Sequence, residues 1–136
     1  MLLLDSEALS SLAHGPAHRR DRVRGILASL SPEERSLGTV AAVLAEVVRG
    51  RRQDAAVYGS VRRTGMTIHP VDTPVGVRAG QLLGAAGADP RLAVDAFLVA
   101  AADLRGGAII ATTDAGDLER LAASTSSVLV VDLDAV

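Results

Sequence analysis

A chain of 136 residues, 49% of them hydrophobic and with a formal net charge of −2, suits one domain spanning residues 1–136 that buries its own core without staples. The absence of Cys excludes disulfides, thiolate zinc sites and iron–sulfur clusters, and no apolar run approaches the roughly 18 residues that span a bilayer. Tyr58 and Phe97 are the only aromatic residues, so stacking of bases on ring platforms is an unfavourable route to nucleic-acid recognition.

The N-terminal Met1-Leu2-Leu3-Leu4 is too short, and lacks the positive flank, for a secretory signal. The expectation is a soluble, cytoplasmic protein with no membrane contact. Leu2–Leu4, closed by Asp5, reads as a buried strand of a parallel sheet. A helix over Glu7–Ala13 follows and is broken at His14-Gly15-Pro16. Val23, Ile26, Leu27 and Leu30 repeat at helical spacing and predict a second helix over Ala17–Leu30.

Ser31-Pro32-Glu33-Glu34 has the form of a helix start, with Ser as cap, Pro at the first position and Glu three residues on. The residues after it, up to Thr39, fit a helical turn or a short strand. Val40, Val43, Leu44, Val47 and Val48 then form a helical stripe, with Glu46 at its flank and able to look into a cleft. Gly50-Arg51-Arg52 leads to a further helix ending near Arg63, and Met66–Val71 reads as a strand. Thr73-Pro74 caps a helix with the stripe Val75, Ala79, Leu82, Leu83 and Ala86, ended by Gly87. Asp89-Pro90 repeats that device and opens a helix to Arg105 that is apolar on nearly every side. Strands at Ala108–Thr112 and Val128–Val131 bracket a helix over Ala115–Ala123. Strands alternating with helices predict a three-layer α/β/α sandwich around a central, mainly parallel sheet.

Charge is unevenly spread. Residues 1–63 hold ten Arg against seven acids, whereas residues 64–136 hold four Arg against nine, and Lys is absent throughout. A basic half opposite an acidic half is compatible with a phosphate track beside a cation site, and equally with solvated helix faces.

Four acids, Asp5, Glu46, Asp95 and Asp114, sit where apolar segments begin or end. Such carboxylates are costly to desolvate unless neutralised, and a shared divalent cation is the simplest neutraliser. Asp5 closes its strand at the carboxyl end, where open parallel sheets place their sites, although it could also cap the following helix. Asp95 lies among Val94, Ala96, Phe97, Leu98 and Val99 in a helix that Asp89 already caps. Asp114 and Asp117 could cap the next helix as a capping box, a role compatible with metal contact because each carboxylate has two oxygens. Glu46 gains weight only in company. His14 and His18 have i, i+4 spacing without an evident third ligand and read as a surface pair; His69 reads as structural. Oxygen donors without Cys favour Mg²⁺ or Mn²⁺, and metal-dependent hydrolysis of a phosphodiester is the chemistry such a set supports.

Read in order, LLLDSEAL, VLAEVVRG, VDAFLVAAA and TTDAGDLERLA resemble the signature blocks of PIN-domain ribonucleases, in particular VapC-like toxins of bacterial toxin-antitoxin pairs. The resemblance runs from the first strand almost to the C-terminus. It implies that Asp5, Glu46, Asp95 and Asp114 are the metal-binding acids, with Asp117 as an additional one, Ser6 as a small polar residue after the first acid and Thr112 as a hydroxyl beside the fourth. It also implies an RNA substrate, a cognate antitoxin and a homodimer. The chain departs from that pattern before Glu46, where a polar, helix-like stretch from Pro32 to Thr39 replaces a clearer strand and puts the sheet edge in question. Other readings are a catalytically silent binding module on this fold, a DNA-directed nuclease of the same fold, and a receiver-like phosphoacceptor, which normally needs a Lys. Arg19, Arg20, Arg22 and Arg24, with Arg49, Arg51 and Arg52, could grip an RNA backbone, face solvent or meet an antitoxin.

Overall fold

Three consecutive leucines fit a strand that is covered on both faces, and β1 (Leu2–Leu4) is one, with all three side chains fully buried. The computed structural model describes residues 1–135. Four further strands, β2 (Leu37–Val40), β3 (Thr67–His69), β4 (Ala108–Thr112) and β5 (Val128–Asp132), join β1 in one parallel sheet of order β3-β2-β1-β4-β5. Leu2 pairs with Leu37 on one side and Ile109 on the other, so β1 is central.

Among the described residues the helices are α1 (Ser6–His14), α2 (Ala17–Ser29), α3 (Ala41–Val47), α4 (Asp54–Thr64), α5 (Thr73–Ala86), α6 (Ala93–Leu104) and α7 (Gly116–Ala122). Helices α1 to α4 pack together and α5 to α7 pack together, which fits the two faces that right-handed crossovers would give this strand order. The result is the predicted three-layer sandwich. Without large aromatics the central layer closes on small side chains. In α6, Ala96, Leu98, Val99, Ala100, Ala101 and Ala102 are buried, so this helix can approach the sheet closely.

Several boundaries differ from the sequence reading for identifiable reasons. Ser31-Pro32-Glu33-Glu34 forms a turn instead of a helix, because Arg35 folds back to donate to the carbonyls of Leu27, Ala28 and Leu30 and seals the end of α2. The undecided stretch becomes β2, and Val40 is its last residue, not part of the helical stripe. That strand lies inside the sheet, between β1 and β3, and is tied to β1 by the buried Thr39 hydroxyl, which donates to the Leu4 carbonyl at 2.6 Å. The α5 cap is Asp72, one residue ahead of the Thr73-Pro74 pair, and Gly87 ends the helix in the left-handed region at φ 59°. Asp89 caps only a 3₁₀ turn over Pro90–Leu92, so α6 starts afresh at Ala93.

Gly38 lets β3 pack close to β2. A Cβ there would meet the Thr67 carbonyl at 2.9 Å and His69 Nε2 at 3.0 Å. Gly38→Ala is expected to lower unfolding free energy by about 1–3 kcal/mol, the cost of overpacking, as measured by urea denaturation. Unchanged stability would mean that the edge strand yields freely.

Candidate metal centre

Two neighbouring strands leave β1 in opposite directions of chain order, and the crevice beyond their carboxyl ends is where such sheets place ligands. Asp5 follows β1 there, and its N–H donates to the Ala111 carbonyl of β4 at 3.2 Å. Its carboxylate accepts from the Ala8 N–H at 2.8 Å and caps α1, so the capping reading and the site reading both hold for this residue. Asp114 stands two residues beyond β4, in a loop fixed by its own N–H donating to the Thr112 hydroxyl at 3.0 Å. Glu46 comes from the last turn of α3, Asp95 from the first turn of α6 and Asp117 from the first turn of α7.

All five line one cleft of about 230 Å³, together with Ser6 and Glu7. Each sequence-predicted acid is therefore present. The capping alternative for Asp114 and Asp117 fails, because the N-cap of α7 is Ala115 and no side chain caps the helix. Asp5 is buried at the floor, Asp95 is half-buried, and Glu46, Asp114 and Asp117 form an exposed rim.

Two hydroxyls restrain the acids. Ser6 Oγ donates to Glu46 Oε1, and Thr113 Oγ1 donates to Glu7 Oε2. Glu7 and Thr113 were not singled out from sequence. Glu7 lies two residues beyond the strand-ending acid, which puts it in the first turn of α1, but an acid there is ordinarily explained by the helix dipole.

Burial pushes the Asp5 carboxyl up to about 6, opposed by hydrogen bonds from Thr112 and Ala8 and helped by the charges of Glu7 and Glu46. Burial likewise pushes Asp95 up to about 6, and Asp5, Glu46, Asp117 and Asp114 all add repulsion. Among the described residues no group of three or more His, Asp or Glu side chains is poised as it stands to hold a metal ion. The donor set still fits a hard divalent cation: all the charged groups lining the cleft are carboxylates, and two of them are destabilised by burial and by neighbouring acids. His14 and His18 lie outside the cleft, and His18 Nε2 meets Asp134 at 2.9 Å instead. His69 is buried in β3, and burial holds its imidazole below the ordinary value.

The sheet order and the acid cleft define an α/β/α protein with a carboxylate centre at its topological switch point. The family model of the PIN domain matches residues 2–124, and the chain belongs to that family. PIN domains are generally nucleases and generally use divalent metal ions. The fold is similar to that in the crystal structure of FitAcB from Neisseria gonorrhoeae, with a TM-score of 0.63 and 22% identity over 95% of this chain and 96% of that one. It is also similar to VapBC2 from Rickettsia felis bound to a DNA fragment from their promoter, with a TM-score of 0.70 and 12% identity over 96% of this chain and 97% of that one. No curated protein matches the chain significantly. Among the described residues no helix is long and apolar enough to cross a membrane.

A carboxyl whose folded value lies above its unfolded 3.8 costs no stability below about pH 4, and the cost grows as pH rises to about 6. Asp5→Asn keeps an oxygen for the Ala8 N–H and removes the charge. It is expected to stabilise the cation-free protein at pH 8 by about 2–3 kcal/mol, with Asp95→Asn giving a smaller gain because water reaches that group. Thermal melts in EDTA at pH 8 and pH 4 check this: the gain should vanish at pH 4.

Proposed function

We propose that the chain is a Mg²⁺- or Mn²⁺-dependent endoribonuclease acting as the toxin of a toxin-antitoxin pair, built as one PIN-like domain over residues 1–136. The observation that carries the reading is the gathering of Asp5, Glu46, Asp95 and Asp114, with Asp117 at the rim, from separate elements into one cleft. Membership of the PIN family supports nuclease chemistry, and the likeness to FitAcB and VapBC2, both toxin-antitoxin complexes, supports an antitoxin partner. A homodimer and a cytoplasmic setting belong to the same proposal.

Asp5, Glu46, Asp95 and Asp114 would hold the cation, and Asp117 would widen the set. When bound, the cation supplies positive charge to a phosphoryl oxygen and lowers the pKa of a water in the cleft. The chain's own part is to hold the donors in place. Asp5 is fixed by the α1 cap, Glu46 by the Ser6 hydroxyl, and Asp114 by a loop turned on the Thr112 hydroxyl. Asp5 is buried at the floor of the cleft, where low access of water strengthens any charge interaction made with it. No Cys, Ser or Lys nucleophile is needed for this chemistry.

Labelled RNA and DNA incubated with Mg²⁺ or Mn²⁺ test the reading. RNA should be cut, EDTA should stop the cut, and Asp5→Asn or Asp95→Asn should slow it by about a hundredfold or more. RNA cleavage that survives EDTA would falsify the scheme, and preferential cutting of DNA would move the protein to the DNA-directed reading.

A second outcome follows from the raised carboxyls. Cation binding must release the protons of Asp5 and Asp95 at pH 5 but not at pH 7, so affinity should climb with pH. Two protons correspond to a gain of up to about a hundredfold across that range, read by calorimetric titration with Mn²⁺. A flat profile would show that neither carboxylate takes part in binding.

A further inference from the structure

A nuclease cleft that presents five acidic residues repels the RNA it must receive, so a positive element has to lie close beside it. Several arginines of the basic half are already committed. Arg19 grips Asp134, Arg20 donates to the Gly15 carbonyl, Arg24 pairs with Asp21, and Arg35 seals α2. Arg49 donates to the carbonyls of Ala45 and Val48 at 2.8 and 3.0 Å, closing α3 just after Glu46. Arg51 and Arg52, like Arg22 and Arg62, are exposed and have no guanidinium partner among the described residues, but of these four only Arg51 and Arg52 stand on the segment that directly follows the helix of Glu46.

The turn that carries them is held by an unusual device. Asp54 is 93% buried, and its carboxylate accepts from the N–H groups of Gly50 at 2.7 Å and Arg51 at 3.1 Å. It also accepts from the Arg49 N–H at 3.1 and 3.2 Å through its two oxygens. Gly50 takes φ 72°, which lets three successive N–H groups converge on one carboxylate. These bonds hold the carboxyl below the usual carboxylate range. A surface turn could have been left to water, and this one is pinned from inside. It begins three residues after Glu46.

We propose that Asp54 is a positioning residue that fixes the Arg49–Arg52 turn beside the cleft, so that Arg51 and Arg52 bind the phosphates of the RNA entering it. The inference rests on the ribonuclease reading above. Guanidinium groups suit this task because they stay charged and meet phosphate oxygens in pairs. A pre-ordered turn also spares the ordering cost that a loose Arg loop would incur on binding.

Fluorescence anisotropy of a labelled single-stranded RNA oligonucleotide in EDTA, over a potassium chloride series, tests the contact without cleavage. The slope of log affinity against log salt should fall by about 0.7 for each of Arg51→Ala and Arg52→Ala, and by about 1.4 for the pair. Arg62→Ala, about 12 Å further along α4, should leave the slope unchanged. In cleavage assays the double variant should raise KM about tenfold while kcat stays within about twofold.

Asp54→Ala should raise KM in the same way and add nothing to the double Arg variant, whereas a merely structural role would add its full effect. Asp54→Asn, which keeps one acceptor oxygen for Gly50, should recover part of the loss and serves if the Ala variant does not fold. An unchanged salt slope and KM in Arg51→Ala/Arg52→Ala, with wild-type RNA cleavage still dependent on Asp95, overturns the inference alone. Wild-type protein that neither binds nor cuts RNA overturns the ribonuclease reading, and this inference with it.

Discussion

Crowding of negative charge at the carboxyl ends of β1 and β4 is the constraint on which the rest of this molecule depends. A lone carboxylate at a strand end would turn to water or cap a helix and cost little. Here Asp5 is held down by its cap and by the Ala111 carbonyl, while Asp95 faces it from the opposite layer. Neither can leave without undoing a helix start or a packed helix. Burial without water raises both carboxyls, and the neighbouring charges add to it, so the cost is built into the backbone arrangement.

The architecture explains how a 136-residue chain sustains that cost. A parallel sheet buried on both faces supplies an apolar block, with Leu2–Leu4 fully buried at its centre. Above that block α6 packs through alanines and brings Asp95 near the sheet, and α3 brings Glu46 from the other layer. Hydroxyl groups finish the placement. Thr39 ties β2 to β1, Thr112 turns the loop that carries Asp114, and Ser6 reaches Glu46 across forty residues of sequence.

The sequence was informative where one residue type had one physical explanation. An all-leucine run had to be a covered strand, and Asp95 amid apolar neighbours pointed to a partner beyond its own helix, although Asp89 caps only the 3₁₀ turn and leaves Asp95 in the first turn of α6. Both lines of reasoning lead to features the structure shows. It was less informative where long-range partners decide. Whether residues 36–40 form helix or strand depends on pairing with β1 and β3, which no local pattern records. Asp54 reads as an ordinary helix-start acid, yet its carboxylate binds backward to a turn that precedes it, and periodicity carries no trace of that. Glu7 shared its signal with the helix dipole, so its place on the cleft was hidden by a sufficient local reason.

The charge asymmetry shows the same limit from another side. Ten arginines in the first 63 residues suggest a broad phosphate track, but the fold spends several of them on carbonyls and acids of the chain itself. Arg19 donates to both oxygens of Asp134 at 2.9 and 2.7 Å, with His18 as a second partner, and this holds the Asp134 carboxyl well below the usual range while fastening the end of β5 to α2. A basic half therefore does not amount to a basic surface. What remains open to an anionic ligand is a smaller set of guanidinium groups. The pair best placed by the backbone stands on the turn that follows the helix of Glu46, where the field of the acidic cleft most needs an opposing charge.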